Sequence, residues 1–373
     1  MNYALIFALF FIPLGFLQYG VIHNGHHLAF ALMATLVIGW QIKNRIISLF
    51  VSYLVLWQAF VLIYSMFHRV PRIVVLSATE TVLYVTFGLF IYHAVTESKI
   101  KKETIYNVIC IAACFQLTIA LTQFFLHYDP VVHFLKFAFA GRAIGLLGEN
   151  TVTGTLGNNN FLAAYLAISL PFFFRKTGHF SFMGRDIPFG WFYAVPVILF
   201  ILYKSSTTSA VVPAIIASAW FFKDKLTKRE LYLAIGGAAL VIIAYACFQH
   251  TPFYENPRWK DWMSAIQQVS ISPWTLIFGM GPGAGWGKGY PMHNEWLQFF
   301  HQYGIIGAAL MGAFAYRIFR VDLFIIQNKI LFASMLVIVI NMFGNYSLHL
   351  APSAFLIILI AGLIERERGK IND

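Results

Sequence analysis

Apolar residues run through this chain in long unbroken stretches, which leaves its backbone few ways to satisfy itself. Continuous rather than alternating apolarity excludes a membrane barrel, and in lipid only helices then pair every N–H and C=O internally. Candidate spans lie at about 3–19, 28–40, 46–66, 73–94, 104–126, 160–174, 189–203, 208–222, 231–248, 293–315, 330–345 and 352–364. At about 20 mostly apolar residues per span, twelve full spans would take roughly 240 positions of the 373 residues. Only 11% of the residues are charged and 59% are hydrophobic, against about 25% charged in an ordinary soluble domain. That balance excludes disorder and fits a soluble globule poorly. The expected fold is an all-α polytopic membrane protein of about 12 helices, with residues 1–373 forming one integral membrane domain. The spans at 28–40, 189–203, 208–222 and 352–364 are short for a bilayer, so they are expected to be tilted, broken or half-spanning. The first apolar stretch has no small-residue cleavage site and reads as a retained helix. Cys110, Cys114 and Cys247 all sit in apolar runs and point to neither a disulfide framework nor a metal site.

The net charge of +11 could indicate nucleic acid, but the basic residues fall between the apolar segments, as topology signals do. With the N-terminus inside, 18 of the 26 basic residues occupy inner loops and the tail at 365–373. Both termini are then cytoplasmic. The other eight, Arg69, Arg72, Lys136, Arg142, Lys204, Arg258, Lys260 and Lys288, face outward, where insertion gives no reason for them. Two segments, 127–159 and 249–292, are too long for simple connectors. Four spans separate them, so they share a side, and the charge count puts that side outside the cytoplasmic membrane. ATP and nucleotide sugars are absent there, so an energised substrate would arrive already activated, carried on a lipid.

The second long segment ends in Pro291, Met292, His293, Asn294 and Glu295, followed by the apolar run Trp296 to Met311. At about 100° per residue, Leu297, Phe300, Gly304 and Gly307 fall close to the His293 direction. His293 thus heads a helix whose same face carries two glycines, over which a neighbouring helix can pack. A neutral histidine held at the membrane surface suits a general base; the alternative is an interfacial histidine with glycines used only for packing. Arg258, in Asn256-Pro-Arg-Trp-Lys-Asp-Trp262, and Arg142, in Gly141-Arg-Ala-Ile-Gly-Leu146, are either phosphate partners or arginines snorkelling from the membrane edge. Lys260, Lys288 and Arg72 share their outward placement. Gly279, Gly281, Gly283, Gly285, Gly287 and Gly289 alternate ahead of His293 without the lysine-hydroxyl ending of a phosphate-binding loop, and read as a flexible segment. Asn158, Asn159 and Asn160 precede the sixth span, where they can cap its helix or offer hydrogen bonds to a sugar. His23, His26 and His27 have ligand-like spacing but no outward carboxylate or cysteine cluster near them. Glu80, inside the fourth span, is placed to pair with Arg72 or Arg69. The outward acids are Asp129, Glu149, Glu255, Asp261 and Glu295, with no Asp-x-Asp pair, so a metal-dependent transferase is disfavoured.

His293 and Asn294, nine residues, Gly304, two residues and Gly307 resemble the signature of the O-antigen ligase and polymerase superfamily of bacterial membrane glycosyltransferases. The stretch Thr153 to Ala163, with Pro171 beyond it, is similar to that family's other recurrent segment, although Asn159 stands where a proline is common. Arg142 with Leu146 resembles the ligases' arginine motif, and Arg258 with Trp259 and Trp262 resembles the arginine-to-tryptophan segment before the glycine-rich stretch. The likeness covers roughly 140–310 and is nearest to the ligases. It implies a GT-C-like enzyme that moves a glycan from undecaprenyl diphosphate to an acceptor hydroxyl at the outer face of the cytoplasmic membrane, with neither metal nor nucleotide cofactor. It also implies that Arg142 and Arg258 hold the diphosphate and that His293 takes the acceptor proton. Asn294, Asn158, Asn160, Lys260, Lys288 and Arg72 would bind substrate. The acceptor could be lipid A core, another glycan repeat or a protein side chain, making the chain a ligase, a polymerase or a protein O-oligosaccharyltransferase. From another class, a transporter of a lipid-linked anionic solute would use the outward arginines at its mouth; the chain shows no convincing internal repeat of the kind transporters carry.

Overall fold

The longest uninterrupted helix forms where the sequence is apolar on every side. In the computed structural model α1, Lys102–Leu126, fills 25 residues, close to the expected 104–126. Among the described residues it is the one helix long and apolar enough to cross a membrane by length and composition. The structure describes residues 101–126, 159–175, 179–182, 185–188, 191–204, 208–224, 257–281, 294–319, 328–344 and 351–372, with 91–97 and the single positions 52, 56, 60, 88, 100, 152, 154 and 236. The expected spans at 3–19 and 28–40, and most of 46–66, 73–94 and 231–248, lie outside them, as do Glu80, His23, His26 and His27.

Helix α2, Asn159–Ser169, is followed directly by a 3₁₀ turn, Leu170–Phe174. Pro171 causes the change: its ring has no N–H to give Ala167 and disfavours the α conformation at the residue before it. The segment ends at Arg175, which is extended at φ −71° and ψ 141°. Leu162 to Ser169 are all buried, so α2 is surrounded, as an all-round apolar helix must be. Ala163, Ala164 and Ala167 let its neighbours approach closely.

Two short strands, β1 His179–Phe182 and β2 Arg185–Pro188, pair antiparallel with Phe182 opposite Arg185. This hairpin departs from the expectation of helices and loops alone. Its intervening Met183-Gly184 supplies the glycine that a two-residue turn favours. A 3₁₀ turn, Trp191–Ala194, leads into α3, Val195–Lys204. Then follow α4, Thr208–Phe221, with Pro213 inside it; α5, Pro257–Val269; α6, Pro273–Phe278; α7, Glu295–Phe319; α8, Lys329–Met342; and α9, Ala351–Asn372. The described structure is therefore predominantly helical. Helix α9 continues past the expected end at 364 through the segment read as a tail, because Glu365, Arg366, Glu367 and Arg368 are good helix formers and Arg368 pairs with Glu365 at 2.9 Å one turn away.

Helices α1, α3, α4, α8 and α9 pack around α2, and their ends gather in two groups. At one end Lys102 pairs with Glu367 at 3.3 Å. There too Arg175 reaches Asn107 at 2.5 Å and lies over the Tyr106 ring, Asn328 donates to the Tyr106 hydroxyl at 2.7 Å, and Lys329 pairs with Asp224. At the opposite end Gln123 meets Gly154, Lys204 sits 5.2 Å from the Phe124 ring centroid, Gly344 packs on Ser209, and Asn294 donates to the Phe343 carbonyl at 3.3 Å. The chain thus alternates in direction from α1 to α4 and again from α7 to α9. Both segments read as long loops, 127–159 and 249–292, arrive at this second end.

Candidate functional site

The second long segment folds into an arch on α7. Its first limb, α5, is amphipathic; its second, α6, opens with a capping box. Ser272 Oγ accepts the Thr275 N–H and Thr275 Oγ1 accepts the Ser272 N–H, both at 3.1 Å, with Pro273 in the first turn. Gly279 closes α6 at φ 82° and ψ −179°, a region essentially reserved for glycine. The following strap then bonds to α7: the Met280 N–H donates to the His301 carbonyl at 2.8 Å and the Gly281 N–H to the Gln302 carbonyl at 3.0 Å.

Those two carbonyls are oriented to accept because α7 breaks at Gly304, where φ is 64° and ψ −162°. In an unbroken helix they would face the N–H groups of Ile305 and Ile306. A side chain at 304 would collide with the Ile277 carbonyl and lie 2.6 Å from the Gly279 nitrogen. This corrects two expectations. Gly304 does not lie on a continuous helical face beneath His293, so Gly307, beyond the break, does not share that face. Gly279 and Gly281 belong to an ordered strap rather than a flexible one; Gly283, Gly285, Gly287 and Gly289 lie outside the described residues.

Ahead of the break α7 carries a buried polar stripe: Asn294, Glu295, Gln298, His301 and Gln302 are each at most 7% exposed. Asn294 caps the helix, its Oδ1 accepting the Leu297 N–H at 3.1 Å while its amide nitrogen holds Phe343. His301 Nε2 lies 3.1 Å from Gln268 Oε1 on α5, and Gln268 donates to Ser264 Oγ at 3.0 Å. The sequence reading missed Gln268, Gln298, His301 and Gln302. For Gln298, His301 and Gln302 the signal was polar residues recurring at three- and four-residue steps inside an apolar run.

Of the expected site residues, His293 immediately precedes Asn294 but lies outside the described residues, as do Arg142, Asn158, Lys288 and Arg72. Arg258 is the second residue of α5. Lys260 is exposed on the same helix, and Asp261 beside it has its carboxyl raised above the usual value by partial burial. Asn160 is half-buried in the first turn of α2, and its N–H donates to Asn159 Oδ1 at 2.9 Å.

A second polar cradle joins the other long segment to α1. Gln123 grips Gly154 with both amide atoms, accepting its N–H at 2.8 Å and donating to its carbonyl at 3.0 Å. Gly154 has φ 58°, and a side chain there would meet Gln116 Oε1 at 2.6 Å and Leu162 Cδ1 at 3.0 Å. Gln116 and Gln123, seven residues apart on one face of α1, are both buried, so Gly154 is fastened to α1 and packs beside Leu162 of α2. Among the described residues no group of three or more His, Cys, Asp or Glu side chains gathers to hold a metal ion. No protein-family model matches the sequence, and no curated protein matches it.

Proposed function

We propose that this chain is a polytopic glycosyltransferase of the bacterial cytoplasmic membrane, moving a glycan from undecaprenyl diphosphate to an acceptor hydroxyl on the outer face without metal or nucleotide. The observation that carries this reading is the docking of the α5–α6 arch on α7. It ties the helix that bears Arg258 to the helix that follows His293 through side-chain and backbone bonds, although 35 positions separate the two residues. A general base and an anion-binding cation belonging to packed elements are what such a transfer requires.

In the proposed step His293 takes the proton from the acceptor hydroxyl, whose oxygen attacks the anomeric carbon. The bond from that carbon to the diphosphate oxygen breaks, its electron pair leaves with undecaprenyl diphosphate, and the anomeric centre inverts. Arg258 and Arg142 offset the charge that develops on the leaving diphosphate. Asn294, next to His293 in sequence, caps α7 and holds Phe343, and with Asn158, Asn160, Lys260, Lys288 and Arg72 is assigned to donor and acceptor.

Membrane residence in about twelve spans, with both termini cytoplasmic, draws support from the alternating helices and from large apolar side chains that stand exposed, among them Phe125, Leu126, Leu199 and Ile305. The inner-loop charges Lys102, Arg175 and Lys329 lie at one end of the bundle, and both long segments reach the other. The acceptor is assigned to lipid A core, with glycan repeat and protein hydroxyl as the alternatives within the class. A second reading, export of a lipid-linked anionic solute, is favoured by one observation: the break in α7, since discontinuous helices build transporter sites. Purified protein in liposomes, given lipid-linked oligosaccharide and each acceptor, separates these readings by product mass. A modified core lipid marks a ligase, lengthened repeats a polymerase and a glycosylated polypeptide the protein-directed enzyme; relocated but unmodified donor marks the exporter.

A further inference from the structure

We propose that His301 is a positioning residue for this transfer. Through Gln268 it holds α5, and with it Arg258, against the end of α7 that follows His293; the proposal rests on the transferase reading above. His301 is 1% exposed, and burying an imidazole where a leucine would pack costs free energy unless its polar atoms are matched. Gln268 matches the Nε2 side of the ring. Its amide nitrogen is turned to Ser264 Oγ at 3.0 Å, which leaves Oε1 facing His301 Nε2 at 3.1 Å and makes that ring nitrogen the donor. The carbonyl of His301 meanwhile accepts the Met280 N–H at 2.8 Å. One residue is therefore bound from two directions, by α5 through its side chain and by the strap after α6 through its backbone.

Distance excludes a direct part in the chemistry. His301 follows Asn294, the cap of α7, by seven positions, about 10 Å along a helix axis, so it stands away from the end of α7 where the proposed chemistry begins. The same geometry makes its contact with Gln268 matter at the site. Arg258 precedes Gln268 by ten positions on the same helix, about 15 Å, so a shift of α5 at Gln268 is carried along the helix to Arg258. Misplacement by about 1 Å is enough to cost a hundredfold in rate. The helix that bears Arg258 is held at its far end, and His301 supplies that anchor from α7.

The test compares His301→Leu, Gln268→Leu, their double variant and His301→Gln in liposomes supplied with undecaprenyl-diphosphate oligosaccharide. His301→Gln keeps a side-chain N–H donor. Both leucine variants should raise KM for the lipid donor about tenfold, the order expected for a lost buried hydrogen bond, with kcat falling less. The double variant should be no worse than either single one, and His301→Gln should recover most of the loss. Independently of activity, hydrogen exchange across 257–269 should speed up in His301→Leu. Unchanged exchange there overturns the proposal even if the wild-type protein transfers nothing. Faster exchange in a protein that transfers nothing upholds the tie between His301 and Gln268 and removes the transferase reading instead. Unchanged donor KM in both leucine variants of an active enzyme overturns the positioning role.

Discussion

Gly279 and Gly304 meet backbone to backbone: a Cβ on Gly304 would lie 2.6 Å from the Gly279 nitrogen, and one on Gly279 would run into the Gln302 carbonyl. Each lies at a φ, ψ pair that only glycine adopts freely. The contact lets the strap at 279–281 take the carbonyls exposed by the break in α7.

Gly304→Ala and Gly279→Ala should each destabilise the arch by at least about 1–3 kcal/mol from backbone strain alone, with the overlaps adding to it. Limited proteolysis in detergent should cut between α5 and α7 in both variants far faster than in wild type. Gly312→Ala is the control, since a Cβ there would meet nothing within 4 Å; equal protection in all three would show that the glycines are not needed for the clasp.

Gln123→Leu should release the Thr153-Gly154-Thr155 stretch. Burying the Gly154 N–H and C=O without partners costs on the order of 1–3 kcal/mol per group, so the protein should melt at lower temperature and exchange the Gly154 amide faster. Gly154→Ala should act in the same direction by colliding with Gln116 and Leu162. Wild-type melting of both variants would contradict the clamp.

The Asp224 carboxyl is held below its usual value by its hydrogen bond from Lys329. A folded value below the unfolded one, about 3.9, means the stabilisation is present above that pH and lost as pH falls through the folded value. Because both partners are exposed the stability effect should be slight, and the better readout is titration of the carboxyl itself. Lys329→Gln should move it back toward the ordinary range; an unmoved titration would break the assignment.

Arg258→Ala should raise KM for the diphosphate donor about tenfold or more, as expected for a lost charge-assisted contact, while the affinity for acceptor changes little. Unchanged donor kinetics would remove the arginine from the site.

The helices α1 and α2 were readable because each is one apolar run with a clear boundary: charged Lys101 and Lys102 at the start of α1, and Pro171 just past the end of α2. The break in α7 was not readable. A glycine in an apolar periodic stretch looks the same whether it serves packing or a left-handed backbone, and the choice was made by Ile277 and Gly279, more than twenty positions away. The arch hid for a related reason. Helix α5 is amphipathic rather than apolar throughout and α6 has only 6 residues in all, so neither stands out as an apolar span, although Ser272, Pro273 and Thr275 spell a helix start. The buried Gln116 and Gln123 were passed over because two polar residues barely dent the hydropathy of a 25-residue helix; their seven-residue spacing was the usable sign.

The most direct measurement is glycan transfer by His293→Ala in liposomes holding undecaprenyl-diphosphate oligosaccharide and acceptor, with products identified by mass and insertion of the variant verified. The account predicts a modified acceptor with wild-type protein and none with the variant. Full transfer by His293→Ala would contradict it.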